Sequence, residues 1–389
     1  MSKLSDYVIN LESGGRDKGG AIKEGIPSLG AEHLNSKGGF DLNSKKLKFI
    51  SKKYFLSMKT GIIKHNDIII VKDGATTGKV SFVTSDFPFE KAAINEHLFI
   101  LRADNRLYPK YLFYFLLSDD GKRKILNDFR GSTIGGISRN FINMEIFIPP
   151  IKEQIEIARI LDILKDLISL RENQIEKFNI LIKSRFVEMF GDPVTNSMNL
   201  QKGKIRDIVR EVKYGTSRPS LNDGKYKYIR MNNITYNGEL DLSELKYIDI
   251  PENEIEKCIV QKGDLLFNRT NSKELVGKTC VFNQDESMII AGYIIRVRMN
   301  DKALPEYLCA VLNSRYGKET LLRMCKAIVG QANINAQELQ DIQILIPPIE
   351  LQYEFVKFRE QVDKLKVEVQ KNLNELTTLY NALMQKYFG

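Results

Sequence analysis

Ile148-Pro149-Pro150-Ile151-Lys152-Glu153-Gln154 opens a stretch that runs to Phe190-Gly191, and Ile346-Pro347-Pro348-Ile349-Glu350-Leu351-Gln352 opens another that runs to Phe388-Gly389. The openings are 198 positions apart (346 − 148), and so are the closing glycines (389 − 191). A repeat of that length is half of a 389-residue chain, so two copies of one plan are expected. Each copy reads as a long helix. Glu153, Gln154 and Glu156 crowd the first start, where the helix dipole favours acceptors and negative charge. Gly191-Asp192-Pro193 stops the first copy, as glycine and proline after a helix do.

Ile157, Leu161, Leu164, Ile168, Ile175, Phe178, Ile182 and Met189 recur at spacings of three, four and seven, a heptad-like seam. Arg171 and Arg185 interrupt it. The second seam is Phe358, Val362, Leu365, Val369, Leu376, Leu379 and Leu383, with Asn372 in the gap and aligned by the repeat with Gln174 (174 + 198). A polar residue inside such a seam either fixes register and partner number or lies at the seam's edge. The residues expected to pair the helices are Leu161, Leu164, Ile168, Gln174 and Phe178 with Val362, Leu365, Val369, Asn372 and Leu376. About 38 helical residues at ~1.5 Å each make a rod of roughly 57 Å.

Before each helix lies a segment of mixed texture. In residues 1–147, Asp67-Ile68-Ile69-Ile70-Val71 followed by Lys72-Asp73-Gly74 reads as strand and turn, and His97-Leu98-Phe99-Ile100-Leu101 as a second strand. Pro109 to Leu117 reads as a short helix started by proline, and Lys122 to Phe129 as another. Residues 200–345 repeat the plan: Lys262-Gly263-Asp264-Leu265 answers Lys64-His65-Asn66-Asp67, and Leu304-Pro305-Glu306-Tyr307 answers Tyr108-Pro109-Lys110-Tyr111. The expected fold is α+β: two tandem pseudo-symmetric domains, 1–147 and 200–345, each followed by a long helix, 148–191 and 346–389, with a linker at 192–199. The two helices are expected to pair as an antiparallel coiled coil, which would set the domains apart; parallel pairing would put them at one end.

Composition narrows the class. Hydrophobic content of 43% and charged content of 28% describe a globular chain. No apolar run approaches the ~20 residues that span a bilayer. Met1-Ser2-Lys3-Leu4-Ser5-Asp6 lacks the apolar core of a signal peptide, so the cytoplasm is the expected compartment. Cys258, Cys280, Cys309 and Cys325 have no CxxC spacing, and His33, His65 and His97 lie in the other half. Isolated reduced thiols and no metal site are therefore expected. The formal charge of +9 suits a polyanionic partner. Two differing domains related by a pseudo-twofold and held apart by helices match duplex DNA with two different half-sites and an unread spacer.

The doubled Ile-Pro-Pro-Ile-x-x-Gln with its long helix, the Phe190-Gly191-Asp192-Pro193 closing the first copy, and the strand motifs around Asp67-Ile68-Ile69-Ile70 and Lys262 to Thr270 resemble the specificity subunit of type I restriction–modification enzymes. The resemblance spans the whole chain. It implies two target-recognition domains and no catalytic activity of the chain's own. It also implies recruitment of two modification (methyltransferase) subunits that bring S-adenosylmethionine, and of restriction subunits that use ATP and Mg in the full complex. No cofactor is expected on this chain. The motif search agrees with a non-catalytic role. Gly78-Lys79-Val80 has Asp73, and Gly277-Lys278-Thr279 has Ser272, where a phosphate-binding loop needs its first glycine. A coiled-coil scaffold that binds only proteins and an enzyme with an unfamiliar site are the competing readings.

Phosphate and base contacts call for Lys, Arg, Asn, Gln, Ser and Thr on loops. The first domain offers Arg16, Lys18, Lys72, Thr76, Thr77, Lys79 and Arg139. The second offers Lys213, Thr216, Ser217, Arg218, Arg230, Asn232, Asn233, Asn268, Arg269, Asn271, Lys273, Gln331 and Asn333.

Overall fold

The computed structural model describes residues 2–17, 20–43, 47–131, 135–325 and 332–389. The chain forms two compact units, Met1–Glu172 with Lys371–Gly389, and Asn173–Gln370. Each unit therefore holds one α+β domain and a half of each long helix, the helices spanning Ile151–Phe190 and Ile349–Phe388.

The centre of the first unit is a four-stranded sheet in the order Val8–Ser13, Leu98–Ala103, Ile68–Val71, Val80–Phe82. Its neighbours are all antiparallel. Ile68–Val71 is wholly buried because both faces of the sheet are covered. Ile68, Ile70, Phe99 and Leu101 join the core beneath the helices, while Ile69, Val71, Leu98 and Ile100 join a second core. This is the period-two alternation of a strand, with apolar residues on both sides. A smaller sheet, Lys48–Ile50, Ile26–Leu29, Ala93–Ile94, contains one parallel pair, Ile26–Leu29 with Ala93–Ile94. Helix Pro109–Leu117 has proline in its first turn and hands over at Ser118 to helix Asp119–Leu126. Ser118 caps the second helix by accepting from the Gly121 N–H at 3.1 Å. A Cβ on Gly121 would lie 1.9 Å from the Phe115 carbonyl oxygen, so the handover admits only glycine.

The second unit repeats this topology. Val209–Tyr214, Ile294–Met299, Leu265–Asn268 and Thr279–Val281 form its main sheet, and Lys246–Ile248, Tyr226–Ile229, Met288–Ile290 and Ile259–Val260 the smaller one. Helices Pro305–Asn313 and Arg315–Met324 meet at Ser314. In both units the strand leading into the long helix pairs with the start of its own domain: Glu145–Ile146 with Ser2–Lys3, and Gln343–Ile346 with Gln201–Lys204.

The glutamine of the doubled motif explains the motif. Gln154 is 1% exposed. Its amide accepts from the Tyr108 N–H at 2.7 Å and donates to the carbonyls of Arg106 and Pro149 at 3.1 and 2.8 Å. Gln352 does the same with the Leu304 N–H and the carbonyls of Lys302 and Pro347, at 2.9, 3.0 and 2.9 Å. Each glutamine satisfies three backbone groups, of which the proline carbonyl is buried and the other two partly so. It thereby locks a long helix to the loop before a short one.

The long helices run antiparallel within each unit. In the first, Ile157, Ala158 and Leu161 share a core with Phe388, Leu383 and Met384, and the Phe388 ring lies 5.2 Å from that of Tyr111. In the second, Phe186 and Phe190 each lie 5.6 Å from Phe355, and the Arg185 guanidinium sits 5.7 Å from the Phe358 ring.

The seam of the second helix differs from the expected one. Its buried or half-buried face is Gln352, Phe355, Arg359, Val362, Lys366, Val369, Leu373, Leu376, Tyr380 and Leu383, alternating strictly by three and four. Leu365 and Leu379 are 49% and 48% exposed, and Asn372 is exposed too; Leu365 is therefore corrected as a seam residue, and Asn372 lies at the seam's edge. The reason is that two cations occupy seam positions. The Arg359 side chain lies beside the Cys309 thiol and 3.4 Å from Asp363. Lys366 buries its stem and places its ammonium 2.7 Å from Glu239. Long basic side chains cover apolar surface with their methylenes, so a seam counted on apolar residues alone finds Val362, Val369, Leu376 and Leu383 but misses Arg359 and Lys366 between them. In the first helix Leu161 and Leu164 are buried, and Ile168, Gln174 and Phe178 half-buried. All four cysteines are buried and free. Among the described residues no helix is long and apolar enough to cross a membrane.

Candidate nucleic-acid interface

Ladder pairing fixes which loops meet. In the first unit Ser13 pairs with Phe99, and Val71 with Leu98. One strand end, the next strand's end and a third strand's start thus share one rim of the sheet. Lys72 follows Val71 there. Its N–H donates to the His97 carbonyl at 2.9 Å, and its own carbonyl accepts from the Ile137 N–H at 2.8 Å. The Lys72 ammonium lies 5.7 Å from the Phe99 ring centre and 3.7 Å from Asp73. Arg139 approaches the same ring at 6.0 Å and donates to the Leu11 carbonyl at 2.7 Å. His97 Nδ1 is 2.5 Å from Asp73 Oδ1. Arg16, largely exposed, is 3.8 Å from Glu96.

The rim of the second unit has the same backbone. The Arg269 N–H donates to the Tyr293 carbonyl at 2.9 Å, and the Arg269 carbonyl accepts from the Ile334 N–H at 2.9 Å. Arg269 is thus the structural counterpart of Lys72, Tyr293 of His97, and Ile334 of Ile137. Thr270–Asn271 pairs with Ala332–Asn333, and the Thr270 hydroxyl donates to Asn333 Oδ1 at 2.9 Å. Arg269 stacks over Tyr214, its guanidinium carbon 4.7 Å from the ring centre. The Tyr214 hydroxyl accepts from the Ala336 N–H at 2.8 Å. Lys213 pairs with Glu211 at 2.9 Å. Burial opposes ionisation of Glu211, but hydrogen bonds from Lys213 and Arg296 outweigh it and hold the carboxyl below its ordinary range.

Several candidates are placed elsewhere by their partners. Asn268 is fully buried. With its amide turned to donate to the carbonyls of Tyr293 and Thr270 (3.3 and 2.9 Å) and to accept from Asn271 Nδ2 at 3.0 Å, it braces the rim from beneath. Asn233, 2% exposed, accepts from the Arg230 N–H and donates to the Asp241 carbonyl. Its counterpart His33, also buried, accepts from the Gly30 N–H at 2.9 Å, so both hold one turn. Thr216 is buried and accepts from the Arg218 N–H. These three are corrected from contact residues to supports, because polar side chains that end such turns spend their capacity on backbone groups.

Lys79 and Lys278 are also matched, donating to the carbonyls of Leu34 and Met231 at 3.0 and 2.8 Å. Arg218 is held by Glu254 at 2.6 Å, and Arg230 donates to the Glu244 carbonyl at 3.3 Å. The Thr77 hydroxyl donates to the Gly74 carbonyl, while Thr76, Ser217, Asn232, Lys273 and Asn333 are exposed. Asn271 Oδ1 accepts from the Ser272 N–H at 2.9 Å. Lys18 and Gln331 lie outside the described residues.

Sequence reasoning passed over Tyr214, Tyr293 and the His97–Asp73 pair. Tyr214 stood beside Lys213 in a recognised loop, but its role depends on Arg269, 55 positions on (269 − 214).

A family model described as the type I restriction modification DNA specificity domain matches residues 8–179 and again 199–378. The EcoKI specificity subunit of Escherichia coli K12 is 24% identical over 378 residues, covering 92% of this chain and 80% of that protein. The MjaVIII specificity subunit of Methanocaldococcus jannaschii is 24% identical over 344 residues, covering 82% and 77%. Among solved structures, the S subunit of a type I restriction–modification system from M. genitalium aligns over 100% of this chain and 95% of its own with a TM-score of 0.60 at 15% identity. A chain from a structural study of type I complex assembly aligns over 100% and 96% with a TM-score of 0.58 at 18% identity. With both copies matched over most of its length, the chain belongs to the family of type I restriction–modification DNA specificity subunits.

Proposed function

We propose that each unit reads one half-site of a bipartite, asymmetric duplex DNA target, that the long helices set the unread spacer, and that the chain is itself non-catalytic. It recruits two methyltransferase subunits, which supply S-adenosylmethionine, and in the full complex restriction subunits that consume ATP with Mg; the setting is the cytoplasm. The observation that carries the reading is the pair of equivalent rims. One set of backbone bonds presents Lys72, Asp73, His97 and Arg139 in one unit, and Arg269, Asn271, Tyr214 and Tyr293 in the other. Two copies of one scaffold with different exposed chemistry suit two different base sequences. The rims are cationic without being uniformly so, as expected where phosphates position and bases specify.

The test is the methylome of the host with and without this gene. A two-part methylated motif with a fixed gap is expected to vanish on deletion, and a motif that persists contradicts the proposal. A purified chain that methylates or cuts DNA unaided would favour an enzyme. No sequence preference in a pull-down with all subunits present would favour a scaffold.

A further inference from the structure

We infer that Arg269 reads a guanine in the major groove, and that the half-site bound by the second unit contains that guanine as a main determinant. The inference deepens the proposed function and rests on it. It comes from comparing the cations at that rim. Lys213 is paired with Glu211, Arg218 with Glu254, and Arg230 with the Glu244 carbonyl. Lys278 is buried against the Met231 carbonyl. Arg269 differs from all of these. Its side chain makes no hydrogen bond or ion pair among the described residues; its Nε, like that of Arg230, is buried without a partner.

The same arginine is also held in place. Its backbone is bonded on both sides, to Tyr293 and Ile334. Asn268 beneath it bridges Tyr293, Thr270 and Asn271. Its guanidinium lies 4.7 Å from the centre of the Tyr214 ring, and that ring is tethered by the Ala336 N–H on its hydroxyl at 2.8 Å. Asn335 caps the helix from which that N–H comes, accepting from the N–H groups of Gln337 and Glu338 at 2.9 Å. A planar fork fixed on an aromatic face loses little freedom on binding. The acceptor pair matching two parallel N–H donors on a base edge is guanine O6 and N7. An unpaired charge held still at a strand end is suited to that pairing. A phosphate contact needs neither the ring nor the fixed plane.

The experiment uses the chain assembled with its methyltransferase subunits, with assembly checked for every variant. The methylated motif is determined first. Duplexes are then made in which each guanine of the motif is replaced singly by 7-deazaguanine, which lacks the N7 acceptor. One guanine in one half-site is expected at which this replacement weakens wild-type binding about tenfold, a typical share of a bidentate contact. The Arg269→Ala complex is expected to bind both duplexes alike and to accept other bases there. Arg269→Lys should not restore the preference, since an ammonium cannot form the fork. Sensitivity to 7-deazaguanine that is equal in wild type and Arg269→Ala, or absent from wild type, would overturn the inference. So would an Arg269→Ala defect spread evenly over all sequences with the salt slope lowered by about one, the mark of a phosphate contact. A wild-type complex with no sequence preference would overturn the proposed function as well.

Discussion

Lys72 and Arg269 hold the same place in two copies of one fold, and almost everything around them that is backbone is the same. Each donates to the residue before a central strand and accepts from the loop that returns past it. What differs is the side-chain chemistry. The first rim sets a lysine beside an aspartate and a buried phenylalanine, with a histidine–aspartate pair next to it. The second sets an arginine over a tyrosine ring with no counter-charge. The scaffold is fixed by the buried Gln154 and Gln352, by the capping Ser118 and Ser314, and by the buried strands. The heads are left free to diverge. The same division holds deeper down. Arg102 with Asp67 and Arg298 with Asp264 are matched ion pairs, whereas the fully buried Arg296 of the second unit stands where the first has Ile100.

The largest effect is expected where the units agree. Gln154→Ala and Gln352→Ala should each destabilise their own unit by about 4 kcal/mol, since three backbone groups lose their partner in each case. Denaturant unfolding followed by hydrogen exchange would show whether both losses are local and equal. A clear inequality would mean that the motif is structural in only one copy.

The next effect is expected where the units differ. Glu211→Gln should cost the second unit about 3 kcal/mol, because it weakens the compensation of the buried Arg296. Glu12→Gln should cost the first unit less, because Arg102 keeps Asp67. The Glu211 carboxyl is depressed in the fold. Its contribution is therefore full above the unfolded carboxyl pKa and is lost as pH falls through the lower folded value. Acid titration of unfolding should show this loss in wild type and not in Glu211→Gln.

A smaller effect concerns Lys318, whose ammonium is pushed down to about 8, first by burial and then by Lys183 and Lys278. Its counterpart Lys122 is exposed. A lysine whose folded pKa lies below its unfolded one destabilises fully below the folded value, and the penalty fades as pH rises toward the unfolded value. Lys318→Met should therefore stabilise the second unit by about 1–2 kcal/mol at pH 7 and flatten the rise in stability between about pH 8 and 10. Lys122→Met should change stability by less than about 0.5 kcal/mol. Thermal unfolding across that pH range checks both. The smallest effect is at Lys72: Lys72→Ala should lower affinity evenly across sequences and reduce the salt slope by about one, in contrast to the loss of discrimination expected at Arg269. A change in base preference would make Lys72 a reader as well.

The sequence carried the architecture because the architecture repeats. The Pro-Pro-Ile openings and the glycines that follow marked helices now seen at Ile151–Phe190 and Ile349–Phe388. The β-branched run at Ile68 marked a central strand. In the seam of the second helix Val362, Val369, Leu376 and Leu383 stand as expected, while the positions between them lie one residue on, two of them at Arg359 and Lys366, whose buried stems a count of apolar residues passes over. At the rims, polarity alone could not separate Asn268 and Asn233, which serve buried backbone, from Arg269, which faces no partner. Nor could the stacking of Arg269 on Tyr214 be read from a chain in which they are far apart. Loops selected for composition contain both supports and heads, and burial and side-chain partners tell them apart.

The central claim is that the two rims act separately, each on its own half-site. The direct measurement is selection of bound duplexes from a random library by three assembled complexes: wild type, His97→Ala/Arg139→Ala, and Arg269→Ala. The account predicts a two-part motif for wild type, loss of information confined to one half for the first-unit variant, and loss confined to the other half for Arg269→Ala. Changes that fall in the same half for both variants, or that spread over both halves, would contradict it.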